Sequence, residues 1–235
     1  MVNFIYISGI ISLIIQIFTG VFDYYVLQLE VPPTILLLKS LLLLEFVVQI
    51  IEGTFYVWLV SSFSVLSDIT RFRYYDWFIT TPTMLFTYTF YLLYLKHEER
   101  NEVIEKSLYE LIGENYKILI PIFVLNAIML LFGYLGEIKK YPHYVTAFFG
   151  FIPFILMFYI IYENYAVFSK DGIQTFWFFC VIWSLYGFAS VLPYVAKNVT
   201  YNILDLFSKN FFGIYLAIIL LNANMNLNQP VKVVS

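Results

Sequence analysis

Two ionisable side chains, Asp205 and Lys209, lie four residues apart in the apolar segment DLFSKNFFG. A charged side chain near the middle of a bilayer costs at least a few kcal/mol, so such residues are candidates for a functional site. A buried lysine amine can condense with a carbonyl cofactor to give a Schiff base, and its protonated form needs a negative partner. Because a spacing of four places both side chains on one helical face, the pair predicts a Schiff-base site. A structural ion pair, or a lysine that reaches the membrane surface, is the alternative interpretation.

A second carboxylate lies in the segment RYYDWFITTP, residues 73–82. Arg73, Asp76 and Thr80 follow each other at spacings of three and four, so they share one helical face. Together with the pair described above, this segment supplies two acids and a base around a single buried amine. The sequence therefore predicts a charge cluster inside the protein in which the acids balance the cation.

The elements that position this cluster must be membrane helices. The 235 residues are 61% hydrophobic and only 12% charged, and the mean hydropathy is +0.81. A bilayer core about 30 Å thick needs about 20 apolar residues per helix. The chain is thus predicted to be an all-α membrane protein, a bundle of seven transmembrane helices in one domain over residues 1–235. The predicted spans are residues 4–27, 35–63, 70–95, 116–135, 144–167, 175–195 and 201–223.

Charge and composition exclude several classes of function. The net charge of -3 leaves no basic surface for nucleic acid, and the single cysteine, Cys180, excludes a disulfide framework. Two histidines near the ends of spans, His97 and His143, offer no metal site, and no nucleotide-binding loop or enzyme motif is present. The expected partners are the lipid bilayer and monovalent cations or protons, and a homo-oligomer stays open. Basic residues favour the loops opposite the N-terminus, which predicts an extracellular N-terminus.

The segments RYYDWFITTP and DLFSK resemble the signatures of the third and seventh helices of the microbial (type I) rhodopsins. WSLY at residues 183–186 resembles part of the retinal cage of that family. The number and order of the predicted spans are also similar, over essentially the whole chain. The resemblance implies the seven-helix fold of the family and one cofactor, all-trans retinal, bound covalently to Lys209.

The resemblance also implies a role for each matching residue. Asp76 corresponds to the proton acceptor and primary counterion, and Asp205 corresponds to the second counterion. Arg73 corresponds to a mobile guanidinium beside them, while Trp77 and Trp183 enclose the polyene. The remaining cofactor-binding positions are Tyr74, Thr81, Met84 and Tyr186.

Three positions depart from the pattern of the outward proton pumps in this family. Thr87 stands eleven residues after Asp76, where efficient pumps carry a carboxylic proton donor. Lys197 and Gly187 replace, respectively, an extracellular release glutamate and a proline of the sixth helix. The set formed by Asp76, Thr80 and Thr87 therefore does not predict an efficient pump.

Polar side chains recur at helical spacing on the first, second, third and seventh predicted spans. In a seven-helix ring these spans are neighbours, so we expect a hydrophilic path between them. Serine and threonine are common in ordinary contacts between membrane helices, but that explanation fails for two glutamates seven residues apart. The pattern is similar to the group I viral rhodopsins, which are light-gated cation channels. The matching pathway residues are Ser12, Glu45, Glu52, Asn198 and Asn202.

The sequence thus leads to one main functional hypothesis and two alternatives. The main hypothesis is a retinal-binding photoreceptor that acts as a light-gated cation channel, in which isomerisation of retinal on a protonated Schiff base opens the path. The alternatives are a light-driven outward proton pump of low efficiency and a membrane photosensor. A hydrogen bond between Thr81 and Asn126 could control closure of the channel, although Asn126 could equally be a packing residue.

Overall fold

The computed structural model describes residues 2–64 and 68–227, within which the chain forms seven long helices. The described residues contain no strand, so the predicted all-α bundle of seven helices is confirmed. Residues 1, 65–67 and 228–235, which belong to the predicted single domain, lie outside the described part. The bounds are Val2–Leu27 (α1), Leu36–Ser62 (α2), Thr70–Glu99 (α3), Leu108–Glu137 (α4), His143–Asn164 (α5), Lys170–Ala189 (α6) and Tyr194–Leu227 (α7).

Six of the seven described helices are long and apolar enough to cross a membrane, and α3 is the exception. Helix α3 carries Arg73, Asp76 and a series of threonines, and the structure buries this polar side within the bundle. Large apolar side chains instead face outward, among them Phe18, Phe148 and Ile155. An outer surface of this kind suits contact with lipid, while the polar groups stay inside the protein.

The helices form a closed ring. Each helix packs against the next one in the chain, and α7 returns to pack against α1 and α2. This order makes α1, α2, α3 and α7 neighbours, as the polar stripes on their sequences require. The functional residues predicted on these four helices can therefore meet at the centre of the bundle.

The charged segment between the third and fourth spans is shorter than predicted. Helix α3 continues to Glu99 rather than residue 95, and α4 begins at Leu108 rather than near residue 116. The hydroxyl of Ser107 accepts a hydrogen bond from the backbone of Glu110, whose carboxylate bonds back to Ser107, and this capping box starts α4. The prediction excluded these residues because charges cannot enter hydrocarbon, but a helix can continue past the membrane surface.

The boundary between α6 and α7 also differs from the prediction. Helix α6 ends at Ala189 rather than residue 195, and α7 begins at Tyr194, directly after Pro193, rather than at residue 201. The predicted seventh span left out Lys197 and Asn198, but both are buried in α7 and have partners on other helices. Tertiary contacts therefore extend α7 by two turns.

Helix α7 contains a π-helical segment, Leu206–Asn210, around the lysine of interest. The wider turn buries Ser208, Lys209 and Asn210 together. Single π turns in α-helices are frequent at functional sites. Helix α3 likewise continues through Pro82, while the hydroxyls of nearby threonines donate to carbonyls one turn earlier.

Candidate functional site

Three carboxylates surround the amine of Lys209, whose side chain is 2% exposed. Its Nζ atom lies 2.9 Å from Asp76 Oδ2, 3.2 Å from Glu52 Oε1 and 3.7 Å from Asp205 Oδ1. The sequence predicted Asp76 and Asp205 beside this amine but assigned Glu52 to an ion pathway. The polar stripe on α2 was visible, but the rotation of α2 that points Glu52 at Lys209 depends on packing.

Arg73 forms a second cationic centre next to this one. Its Nη1 atom lies 3.5 Å from Asp205 Oδ2, and its Nε donates to Asn198 Oδ1 at 3.1 Å. Its other terminal nitrogen donates to the side-chain oxygen of Asn202. The hydroxyl of Ser12 donates to the backbone carbonyl of Asn202 at 3.0 Å. Two predicted pathway residues, Asn198 and Asn202, thus bind the guanidinium, and a third, Ser12, holds Asn202 in place.

Asp205 accepts more hydrogen bonds than the other carboxylates of the cluster. Tyr56 donates to its Oδ2 at 2.8 Å and Tyr186 donates to its Oδ1 at 2.7 Å. The Tyr186 hydroxyl also lies 2.8 Å from Ser208 Oγ. Tyr186 was predicted as a cofactor-binding residue, whereas Tyr56 was not among the predicted site residues. Two neutral donors and two cations together stabilise a negative charge on Asp205.

A largely apolar cavity extends from Lys209 into the other half of the bundle. It encloses about 770 Å³, counting its open mouth. Five predicted cofactor-binding residues line it with Lys209: Tyr74, Trp77, Thr81, Trp183 and Tyr186. Met84, the remaining predicted pocket residue, is not a lining residue, because its side chain packs into the main apolar core.

The cavity walls depend on small residues that make room for aromatic rings. A Cβ atom at Gly133 would stand 2.5 Å from the Tyr74 hydroxyl, and one at Gly187 would stand 2.6 Å from the Phe151 ring. Trp77 packs edge-on against Tyr186, with ring centroids 5.5 Å apart. A largely apolar cavity with aromatic walls and one amine among its lining residues suits an apolar aldehyde such as retinal. Thr80, the other predicted helix α3 residue, is buried beside this site and donates to the Asp76 carbonyl.

A second polar cluster lies on the same four helices, toward the C-terminal end of α1. The side chain of Gln49 donates to Asp23 Oδ2 at 2.5 Å and accepts from Thr19 at 2.8 Å. Asn210, directly after Lys209, donates to Thr19 at 2.7 Å. The predicted pathway residue Glu45 accepts a hydrogen bond from Thr87. Asp23, Gln49 and Asn210 were not among the predicted site residues, although Asp23 and Gln49 lie in the polar stripes.

Apolar side chains close the bundle beyond Glu45. Leu38, Leu41 and Leu42, one to two turns earlier on α2, are fully buried, as are Leu216 and Leu220 on α7. These residues belong to the largest apolar cluster of the described residues. Among the described residues, the file of carboxylates and amides therefore ends at Glu45, and beyond it the hydroxyls of Tyr91 and Tyr215 share one hydrogen bond.

Two interhelical contacts involve residues that the sequence singled out. Asn126 on α4 donates to Thr81 on α3 at 2.9 Å, so the predicted hydrogen bond between them is present. Lys197, which stands where pumps carry a glutamate, donates to Glu137 Oε1 at 2.8 Å, and both side chains are buried. The cation at position 197 is thus neutralised by an acid from another helix.

Comparisons with known proteins agree with this arrangement. A family model described as bacteriorhodopsin-like protein matches residues 3–224. The crystal structure of the viral rhodopsin OLPVRII is similar, with a TM-score of 0.77 and 26% identity, over 93% of this chain and 98% of that chain. The comparison with curated proteins found no match.

Two further solved structures share the fold at lower identity. A blue light-absorbing proteorhodopsin from Med12 has a TM-score of 0.71 and 19% identity, over 96% of this chain and 99% of that chain. Xanthorhodopsin, described as a light-driven ion pump with dual chromophore, has a TM-score of 0.70 and 17% identity, over 97% of this chain and 96% of that chain. At these identities the likeness is one of fold.

Proposed function

The chain belongs to the bacteriorhodopsin-like protein family, and from this premise we propose that it is a light-gated cation channel that carries all-trans retinal on Lys209. Members of the family bind retinal through a lysine, and they are typically ion pumps, channels or sensors. The protein is accordingly an integral membrane protein that crosses the bilayer several times. An extracellular N-terminus is part of the proposal.

The position of Lys209 supports its role as the attachment point. Its side chain lines the aromatic cavity, and its amine contacts the carboxylate cluster. Retinal bound at this nitrogen would supply light absorption and a change of shape. Trp77 and Trp183 would hold the polyene, and Tyr74, Thr81 and Tyr186 would complete the walls.

The carboxylates beside Lys209 determine where its proton can go. Asp76 Oδ2, at 2.9 Å from Nζ, is the nearest acceptor. Transfer of a proton from Nζ to Asp76 neutralises both groups and removes one of the two ion pairs that join α3 to α7. Arg73 then remains with Asp205 as its charge partner, so the hydrogen bonds between α2, α3 and α7 can rearrange. This rearrangement is the gating step that we propose.

One observation carries the choice of a channel: buried polar side chains from four adjacent helices extend from Lys209 in both directions. Toward the N-terminus of α1 they surround Arg73, and toward its C-terminus they end at Glu45. Carboxylates and amides in such a file lower the barrier for a cation to enter. Helix α3 carries Thr87 at the donor position of pumps, and a threonine cannot supply a proton at neutral pH.

Opening requires that the apolar side chains beyond Glu45 separate and admit water. Leu41 and Leu42 on α2 belong to the same apolar cluster as Leu216 and Leu220 on α7, and α2 packs against this part of α7. Movement of α7 after proton transfer would act directly on this contact. An apolar constriction that becomes wet is a recognised way to gate a pore.

Voltage-clamp recording of cells that express the protein and receive retinal tests the proposal. A channel gives a photocurrent that reverses sign near the equilibrium potential of the permeant cation, and the reversal moves when that cation is exchanged. The variant Lys209→Arg, which keeps the charge but cannot carry the cofactor, is the matched control and should give no photocurrent. A current of one sign at all voltages would reject the channel.

An outward proton pump is the second candidate, and one contact favours it. Thr87 donates to Glu45, so a carboxyl group from α2 stands next to the position where pumps of the family carry their donor. A photocurrent that keeps one sign and depends on Glu45 would support the pump. Negligible photocurrent with a slow photocycle would instead support the photosensor.

A further inference from the structure

Glu52 was predicted as a pathway residue, and the proposed gating step gives its carboxyl group no part in proton transfer. Its side chain is completely buried, and Oε1 lies 3.2 Å from Lys209 Nζ. The contact with Lys209 is an ion pair without hydrogen-bond geometry, since neither carboxyl oxygen of Glu52 accepts a hydrogen bond from any residue within 2–64 or 68–227. Of the three acids beside the Lys209 nitrogen, Glu52 is therefore the one that accepts no hydrogen bond from the described residues.

The charges at the site do not balance if every group is ionised. Asp76, Asp205 and Glu52 would carry three negative charges, while Lys209 and Arg73 carry two positive ones. All five side chains are at most 2% exposed. An unbalanced charge in such a place costs several kcal/mol, and the usual response is that one group becomes neutral.

Hydrogen bonding identifies the carboxyl group that takes up the proton. Asp205 accepts from Tyr56 and Tyr186, and Arg73 lies 3.5 Å from it. Asp76 accepts directly from Lys209 at 2.9 Å. Donors to a carboxylate favour its charged form, and Glu52 has none of good geometry among the described residues. Glu52 is thus the acid for which the neutral form is least costly.

The groups that face Glu52 do not alter this choice. Helix α3 presents Asp76, and α7 presents Lys209 and Asp205. On α1, the buried Gln16 approaches the neighbouring Gly53, with its Oε1 3.5 Å from the position of a Cβ there. Only one cation faces Glu52 at ion-pair distance, and Asp76 and Asp205 already share that cation.

We infer that Glu52 is a neutral carboxylic acid in the dark and that it returns a proton to the Lys209 nitrogen after light has driven the proton of that nitrogen to Asp76. In this step the O–H bond of Glu52 breaks, an N–H bond forms at Nζ, and Glu52 becomes a carboxylate beside the restored cation. Asp76 then protonates Glu52 and regains its own charge. The proton stays within the cluster, so the cycle moves no net charge across the membrane.

This inference deepens the proposed function, since it rests on retinal bound at Lys209, but it does not depend on ion conduction. It assigns to Glu52 the task that Thr87 cannot perform. With a proton donor in contact with the nitrogen, the site does not need the carboxyl group that pumps carry on the third helix.

The test compares Glu52→Gln with the wild-type protein in three optical measurements. The dark absorption maximum should stay close to that of the wild type, because a neutral group replaces a neutral group, whereas Asp76→Asn should shift it clearly to the red. Recovery of the visible absorption after a flash should slow by about 10²-fold, the usual contribution of a positioned general acid. The slowed recovery should also become faster at lower pH, since the proton must then come from solvent.

Two further variants make the outcome specific. Glu163→Gln, at an exposed position on α5, should recover at the wild-type rate. In Glu45→Gln the recovery should slow far less than in Glu52→Gln, because the Glu45 carboxyl group bonds to Thr87 and not to the Lys209 amine. A slow recovery in Glu45→Gln with a normal one in Glu52→Gln would overturn the inference, as would a red shift in Glu52→Gln equal to that of Asp76→Asn.

An infrared measurement applies even if no pigment forms. The retinal-free protein should show a carbonyl band of a protonated carboxyl group that disappears in Glu52→Gln and persists in Glu163→Gln. Absence of that band from the wild-type protein at neutral pH would refute the neutral form of Glu52. If the optical results are as expected but the wild-type protein gives no photocurrent, the channel is refuted and this inference stands.

Discussion

The two halves of the bundle bury opposite kinds of side chain. Helices α1, α2, α3 and α7 meet through carboxylates, amides and hydroxyls around Lys209 and Arg73. Helices α4, α5 and α6 meet mainly through aromatic and aliphatic groups, such as the rings of Phe158 on α5 and Phe176 on α6, whose centroids are 5.8 Å apart. The polar half holds the charges that can switch, and the apolar half shapes the cavity that holds the light-absorbing group.

The two halves also differ in the energies of the contacts that hold each of them together. An aromatic pair contributes about 0.5–1.5 kcal/mol beyond its buried area, and such contacts tolerate small shifts. Removal of one partner of a buried ion pair costs about 3–5 kcal/mol. A change of charge at one atom in the polar half can therefore reorganise several helices, whereas the apolar half responds weakly.

The largest effect is expected where the two halves meet. Lys209→Ala should abolish the visible pigment completely, because no other amine reaches the cavity among its lining residues. The absorption spectrum after incubation with all-trans retinal measures this. A fully bound visible pigment in the variant would contradict the assignment of the attachment site.

The next effect concerns stability of the polar half. Asp205→Asn removes the carboxylate that faces both Arg73 and Lys209 and should lower the free energy of unfolding by about 3–5 kcal/mol. Tyr186→Phe, which removes one hydrogen bond to the same carboxylate, should cost only about 1 kcal/mol. Unfolding of the retinal-free protein in detergent compares the two. Equal stabilities would show that Asp205 does not balance these cations.

A smaller effect is expected at Glu45, at the apolar end of the polar file. Glu45→Gln keeps the size of the side chain and a partner for Thr87, so pigment formation should be unchanged. The cation photocurrent should change several-fold, because the carboxylate no longer attracts cations. Photocurrent normalised to pigment amount is the measurement. Unchanged currents in both Glu45→Gln and Glu52→Gln would remove the pathway.

The smallest effect is expected on the apolar side. Thr81→Val removes the hydrogen bond from Asn126, worth about 0.6 kcal/mol on average in membrane proteins. If this bond holds the closed state, decay of the photocurrent should change by about threefold. Thr83→Val on the exposed face of α3 is the control and should decay like the wild type. Identical decay in both variants would reduce the Thr81–Asn126 contact to packing.

Much of this architecture could be predicted because membrane helices leave strong signals. Long apolar runs gave the seven helices, and the spacing of Asp205 and Lys209 placed them on one face. Helix ends were harder to predict. Helix α4 begins at Leu108, inside a charged segment, and α7 begins at Tyr194 before polar residues whose partners lie on other helices. The polar stripes on α1 and α2 were also visible in the sequence, but a stripe does not show which neighbouring helix it faces.

The sequence by itself determined the solvent, the number of helices and the amine that must find a negative partner, since these follow from hydropathy and from the cost of burying charge. Only the tertiary structure decided that Glu52 joins Asp76 and Asp205 at Lys209 and that Met84 leaves the cavity. The physical reason is that the sequence does not fix the rotation of each helix about its own axis. A stripe of side chains fixes which residues share a helix face, but packing against the other helices and the π turn at Lys209 fix where that face points.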